Sequence, residues 1–216
     1  MVLPRPRPII PFMNMRALCL LLFSVAALYA PGVRAAPPPE LPPAGAPLSE
    51  EGKAEARDTV LDRLFTELAK AESEEAGRAL ERAIQGVWLT SGSPSIDLLM
   101  GRGLDALGED NIDRAYFYFD EVVTLAPGFA EGWNKRAAIH YLREDYAAAL
   151  RDLEQVLRLE PRHYEALAGL GVILEDLGDK KGALEAYRRA LKLDPWLKNG
   201  GTRIAPLELE VEGRGI

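Results

Sequence analysis

The chain of 216 residues is 48% hydrophobic and 27% charged, a composition that fits one globular domain with a buried core. Its formal net charge of -7, without a cluster of Lys and Arg, argues against nucleic acid as a partner because phosphate binding needs concentrated positive charge. The single cysteine, Cys19, excludes an internal disulfide and a cysteine-based metal site.

The first 35 residues have the pattern of an export signal. Several arginines precede an uncharged apolar run at 17–30, which is shorter than the roughly 20 residues that a membrane-spanning helix needs. Pro31 ends the run, and the small residue Ala35 follows. We expect a signal peptide over 1–35, cleaved near Ala35, and therefore a periplasmic or secreted protein without stable membrane insertion. An uncleaved membrane anchor is the alternative.

Two segments separate this leader from the rest of the chain. Residues 36–52 are rich in proline and lack periodicity, which favours a flexible linker. Residues 53–95 contain two apolar stripes at helical spacing, at 60–68 and 76–88. The stripes predict a divergent pair of helices that is either an N-terminal cap or a degenerate repeat.

A 34-residue repeat occupies residues 96–197. Pro127, Pro161 and Pro195 are each 34 residues apart, and five further sets of residues keep their size at the same spacing. These sets are Leu99, Trp133 and Leu167; Gly103, Ala137 and Gly171; Ala115, Ala149 and Ala183; Phe119, Leu153 and Tyr187; and Val122, Val156 and Ala190. Each copy has two helical stretches, separated by polar turn residues and ended by proline, which cannot continue a helix.

A helix-turn-helix repeat of this length, with these residues, resembles the tetratricopeptide repeat (TPR) family, here as an exported bacterial member. The matching units are 96–129, 130–163 and 164–197. The resemblance implies an all-α fold, an α-α superhelix or TPR solenoid, whose first helices line a concave surface. Residues 198–216 are a C-terminal tail in which Pro206 and the preceding NGG are expected to interrupt the capping helix usual in the family.

The resemblance also implies that the concave surface binds protein. By position in the repeat, a partner-binding groove would be lined by Met100, Leu104, Leu107, Asn134, Ala138, Tyr141, Ala168, Val172 and Glu175. The Lys, Asn and Arg with which some members hold a C-terminal carboxylate are missing here, apart from Asn134 and the neighbouring Lys135. The groove is mostly apolar, so it suits a protein or peptide segment with hydrophobic anchors. In the alternative, the chain's own N-terminal helix or C-terminal tail fills the groove.

The sequence offers few groups for catalysis. His140 lies inside a first helix and His163 in a turn between repeats, and neither suggests a catalytic triad or a metal site. We therefore predict no enzymatic activity, no cofactor and no metal, and an exported protein-binding scaffold in envelope assembly or a larger complex. Two alternatives stay open: an accessory protein or weak enzyme that acts on cell-wall polymers, and a structural subunit that self-associates.

Overall fold

The computed structural model describes residues 50–198 and 200–213, and within these ranges the chain is all α-helical. The predicted signal peptide and residues 36–49 of the predicted linker lie outside the described residues. No described helix is both long enough and apolar enough to cross a membrane. In chain order the helices are α1 (Glu50–Leu68), α2 (Glu74–Trp88), α3 (Pro94–Gly108), α4 (Ile112–Leu125), α5 (Ala130–Leu142), α6 (Tyr146–Leu159), α7 (Tyr164–Asp176), α8 (Lys180–Leu193) and α9 (Gly200–Val211).

Helices α3 to α8 form three consecutive pairs, and each pair packs on the next. The second helix of each pair ends two residues before the repeat proline, because proline disfavours helix in the residue that precedes it. The prediction of an all-α helical repeat is therefore confirmed. Helix α1 begins at Glu50, inside the range assigned to the linker.

The small residues of the repeat sit where the two helices of a unit cross. A Cβ atom at Gly103 would lie 2.4 Å from the Phe119 ring, and one at Gly171 would lie 2.6 Å from the Tyr187 ring. No real Cβ packs that closely, so these two glycines let an aromatic ring lie directly on the backbone of the first helix.

The turn inside each unit is built the same way three times. Asp110, Glu144 and Gly178 occupy equivalent positions and have positive φ angles of 57°, 60° and 83°. Each is followed by a residue whose side chain caps the second helix by accepting a hydrogen bond from a backbone N–H; these are Asn111, Asp145 and Asp179. Only the third unit has the glycine that a left-handed position favours.

The C-terminal segment forms a helix, and the expected interruption by NGG and Pro206 was wrong. Helix α9 packs on α8 through Ile204 and Leu207, which are buried with Tyr187. Pro206 lies inside α9 and is exposed. The apolar surface that Ile204 and Leu207 bury compensates for the one backbone hydrogen bond that proline cannot donate.

The N-terminal pair α1–α2 does not stack in front of the first unit. Later units bury an isoleucine, Ile139 or Ile173, at the tenth position of their first helix, and the residue 34 positions before Ile139 is the exposed Asp105. Ile173 packs on the unit before it. The first unit lacks this buried isoleucine, and α1–α2 packs elsewhere.

Candidate functional site

The pair α1–α2 is docked on the third repeat unit. Its apolar residues share one buried cluster with the start of α7 and the end of α8, whose fully buried members are Leu61, Leu68, Ile84, Trp88, Tyr164, Leu167 and Ala190. Trp196 and Leu197, which follow α8, pack against the same cluster. We call the array's part of this contact the turn-side surface, formed by residues 160–168 and 193–197.

Close packing brings α2 against the end of the third unit. A Cβ atom at Gly77 would lie 2.3 Å from Cγ of Trp196. Only a residue without a side chain allows the Trp196 ring to lie on α2 at this distance. A Cβ atom at Gly86, on the same helix, would have no neighbouring atom within 4 Å.

Polar and aromatic contacts fix α2 at the other end of the turn-side surface. The Trp88 ring stacks on the His163 ring with a centroid distance of 4.0 Å and an interplanar angle of 11°. Gln85 Nε2 donates a hydrogen bond to Glu165 Oε1 at 2.7 Å. Asp62 of α1 also pairs with Arg162. The docked pair therefore makes both apolar and directional contacts.

A buried charge network lies at this surface. Lys135 Nζ lies 2.6 Å from Glu131 Oε1, and Asn134 Nδ2 donates to Glu131 Oε2 at 3.2 Å. His163 caps α7 by accepting from the Ala166 N–H on Nδ1, so its proton sits on Nε2 and is donated to Glu131 at 2.9 Å.

The network keeps Glu131 ionised. Burial alone would raise the pKa of Glu131, but the Lys135 ammonium and the His163 hydrogen bond outweigh it and lower the pKa to about 2. Burial likewise opposes the charge of Lys135, and the carboxylates of Glu131 and Glu165 raise its pKa. The Glu131–Lys135 pair lies within α5, and the hydrogen bond from His163 to Glu131 connects α5 to the start of α7.

Two further carboxyl groups face α2 without a cation from that helix. Burial raises the pKa of Glu165, although the Lys135 charge opposes the shift. Asp194 is fully buried, and burial followed by its contact with Glu81 raises its pKa to about 8. Its Oδ1 accepts from the Trp196 N–H at 3.0 Å, and its Oδ2 has no hydrogen-bond partner among the described residues.

The nine residues predicted to line the groove fall into two groups. Met100, Leu107, Asn134 and Ala138 are buried. The other five are half-buried and comprise Leu104, Tyr141, Ala168, Val172 and Glu175. Half-burial leaves these five as the positions from which a partner could be contacted, and partner binding at the groove stays a prediction.

The chain's own terminal segments contact part of the predicted groove. Ala168 packs against the cluster that contains α1–α2, and Val172 packs against the cluster that contains α9. Arg203 of α9 binds Glu175 at 3.0 Å. Of the half-buried positions, Leu104 and Tyr141 remain, and the Tyr141 hydroxyl donates to Asp176 at 2.8 Å.

The two histidines have structural surroundings. His140 is largely buried, its ring meets Tyr116 edge-on, and its Nε2 lies 3.7 Å from Asp152, which Arg136 binds at 2.7 Å. Burial is the first cause that lowers the pKa of His140, so the ring is neutral at neutral pH. Within 50–198 and 200–213, no group of three or more His, Cys, Asp or Glu side chains has the arrangement of a metal site.

One feature of the sequence marks the turn-side surface. Phe129, His163 and Leu197 occupy the same repeat position, so His163 is a polar residue in an otherwise apolar column. Its partners Trp88 and Glu131 come from different parts of the chain, and no spacing rule links them. The docked pair could therefore not be placed from the periodicity.

Comparison with known proteins is consistent with this architecture. The tetratricopeptide repeat family profile matches residues 143–195. A TPR repeat-containing protein of Rhizobium etli is 35% identical over 135 residues, which are 62% of this chain and 66% of that protein. The chain thus spans just under two thirds of that relative's length.

Two solved structures show the shared fold. The Arabidopsis OM64 TPR domain, 20% identical, aligns over 54% of this chain and 97% of its own length with a TM-score of 0.52. The first TPR domain of Spaghetti (RPAP3), solved with an HSP90 peptide and 17% identical, aligns over 54% of this chain and 93% of its own with the same score.

Proposed function

Because the chain belongs to the tetratricopeptide repeat family, we propose that it is a non-enzymatic scaffold that binds a segment of another protein. We also propose that the protein acts in the periplasm, in envelope assembly or as part of a larger complex. The bound segment is helical or extended and carries hydrophobic anchors, because the predicted groove is mostly apolar.

The half-buried positions Leu104 and Tyr141 on first helices carry this proposal, and the docked position of α1–α2 supports it. A surface that buries Trp88 and Ile84 of an amphipathic helix has the shape and chemistry to hold such a helix. The RPAP3 domain, solved with an HSP90 peptide, is a precedent for peptide binding by this fold.

Site-specific photo-crosslinking in cells tests the groove. A photoreactive residue would be placed at Leu104 or Tyr141, with an exposed position on α6, Glu154, as the matched control. We expect one partner to be crosslinked from Leu104 and Tyr141 and not from Glu154. The double variant Leu104→Asp and Tyr141→Asp should lose that partner in a pull-down with purified proteins. Equal crosslinking from all three positions would remove the groove from the proposal.

The proposed location depends on the leader. If residues 1–35 are a signal peptide, the N-terminal sequence of the exported protein begins near Ala36. A mature protein that retains the leader, or one found only in the cytoplasm, would contradict this part and leave protein binding untouched.

Self-association is a second candidate, and exposed apolar residues on the first unit favour it. Leu98, Phe117 and Leu125 are each more than half exposed on α3 and α4, and exposed apolar side chains are available for contact with a second copy. Sedimentation at several concentrations tests it, and a strict monomer at the highest concentration would reject it.

A further inference from the structure

Much of the repeat packing does not involve the pair α1–α2. The connection from α2 to α3 is residues 89–93, which include Gly92 at a φ of 83°. The buried clusters that hold the second and third units together, and α9 to the third, contain no residue of α1–α2. Release of the pair would therefore expose the turn-side surface while most of the repeat packing is retained.

The docked pair satisfies the turn-side surface incompletely. Trp88 Nε1 and Tyr164 Oη are both buried at this contact, and neither has a hydrogen-bond partner within the described parts of the chain. Buried polar atoms without partners weaken an interface. Two of them at one contact indicate that α2 is not the helix for which this surface is best suited.

Charge is also poorly matched at the same place. Opposite Glu165, α2 presents the neutral amide of Gln85, and opposite Asp194 it presents another carboxyl, Glu81. Arg78, on the same helix, lies 3.4 Å from Glu81. A cationic side chain at position 81 or 85 would pair with a carboxylate of the array in a site of low dielectric.

We propose that α1–α2 is a displaceable internal occupant of the turn-side surface, and that the partner which displaces it is a basic amphipathic helix. This inference rests on the proposed function and names the partner class. The helix would carry an aromatic residue that stacks on His163, as Trp88 does. Lys or Arg would lie three and seven residues before that aromatic, facing Glu165 and Asp194. The acidic net charge of the protein would speed its approach.

Two peptides test the partner's chemistry on the full mature chain. One has the sequence of residues 74–88, and the other carries Glu81→Lys and Gln85→Lys within that sequence. Binding of each labelled peptide is measured by fluorescence anisotropy. We expect the basic peptide to bind about tenfold more tightly than the native sequence, and the advantage to disappear in a protein variant with Glu165→Gln and Asp194→Asn. Equal affinities of the two peptides for the unmodified protein would overturn the proposal.

A pair of glycine variants tests displacement. The substitution Gly77→Leu places side-chain atoms in the Trp196 ring and should therefore undock α1–α2 from the turn-side surface. The substitution Gly86→Leu, on the same helix, meets no neighbour. The basic peptide should bind the Gly77→Leu protein about tenfold more tightly than the Gly86→Leu protein, because no internal occupant has to be removed. Identical binding to both would contradict displacement.

Hydrogen exchange on the unmodified protein gives a readout that needs no variant. Adding the basic peptide should raise exchange in residues 61–88 and preserve protection in α5 to α8. Unchanged exchange in 61–88 at saturating peptide would overturn displacement. These outcomes are separate from the proposed function, since crosslinks from Leu104 and Tyr141 do not depend on peptide binding at the turn-side surface.

Discussion

We expect the buried carboxyl of Asp194 to make the stability of the folded protein depend on pH. Asp194 is fully buried, and burial followed by the neighbouring Glu81 raises its pKa from an ordinary value of 3.8 to about 8. A carboxyl whose pKa is higher in the folded state keeps its proton there and loses it in the unfolded chain. Stability is therefore greatest below the unfolded pKa and falls as pH rises toward the folded pKa.

The size of the effect follows from the shift. From about pH 6.5 to about pH 8.5, a group with a folded pKa near 8 lowers the free energy of unfolding by about 2 kcal/mol. Partial burial raises the pKa of Glu165 and adds in the same direction. The pKa of Glu131 is lowered, so its contribution to the free energy of unfolding is lost only when the carboxylate is protonated, at pH values below this window. Burial lowers the pKa of His140, so its titration shifts toward the acidic side of this window.

The substitution Asp194→Asn should remove this pH dependence. An amide at position 194 has no proton to lose and can donate a hydrogen bond to Glu81, so the variant should be more stable than the unmodified protein at about pH 8.5. Urea unfolding followed by circular dichroism at several pH values measures it. Asp58→Asn, at an exposed position on α1, is the control and should keep the original slope. Stability that rises with pH in the unmodified protein, or an equal slope in Asp194→Asn, would refute the reasoning.

Three further substitutions test the packing and the turns. Glu131→Gln should lower the unfolding free energy by about 3 kcal/mol in urea titrations, because the buried Lys135 ammonium loses its countercharge. Glu144→Gly should raise the midpoint of thermal unfolding, with a gain of about 1 kcal/mol, since the left-handed backbone there strains a residue with a Cβ. Gly171→Ala should destabilise by about 1–3 kcal/mol through contact with an aromatic ring, while Gly169→Ala, on the same helix and without a close neighbour, should not; calorimetry of both compares them.

Much of the fold could be predicted from local periodicity. Pro161 and Pro195 mark equivalent turns, and the small residues Gly103 and Gly171 of one repeat column lie against the aromatic residues Phe119 and Tyr187 of another. Each unit contacts mainly its neighbours. A pattern that recurs every 34 residues therefore predicts which residues pack together within each pair of helices. The helices at 60–68 and 76–88 were likewise visible as apolar stripes.

The groove was less predictable than the helices that carry it. Position in the repeat correctly placed Leu104 and Tyr141 on first helices, but it could not tell that Met100 is buried or that α9 packs beside Val172. Burial depends on what covers a residue, and the covering segments come from outside the repeat.

The sequence alone determined the repeating helical pairs, because neighbouring residues and a fixed period specify them. Only the tertiary structure decided where α1–α2 lies. Gln85 and Glu165 are 80 residues apart, and their contact depends on the shape of the turn-side surface, on the space that Gly77 leaves for Trp196 and on the stacking of Trp88 on His163. Such contacts between distant segments have no period, since they arise only after the repeats have packed.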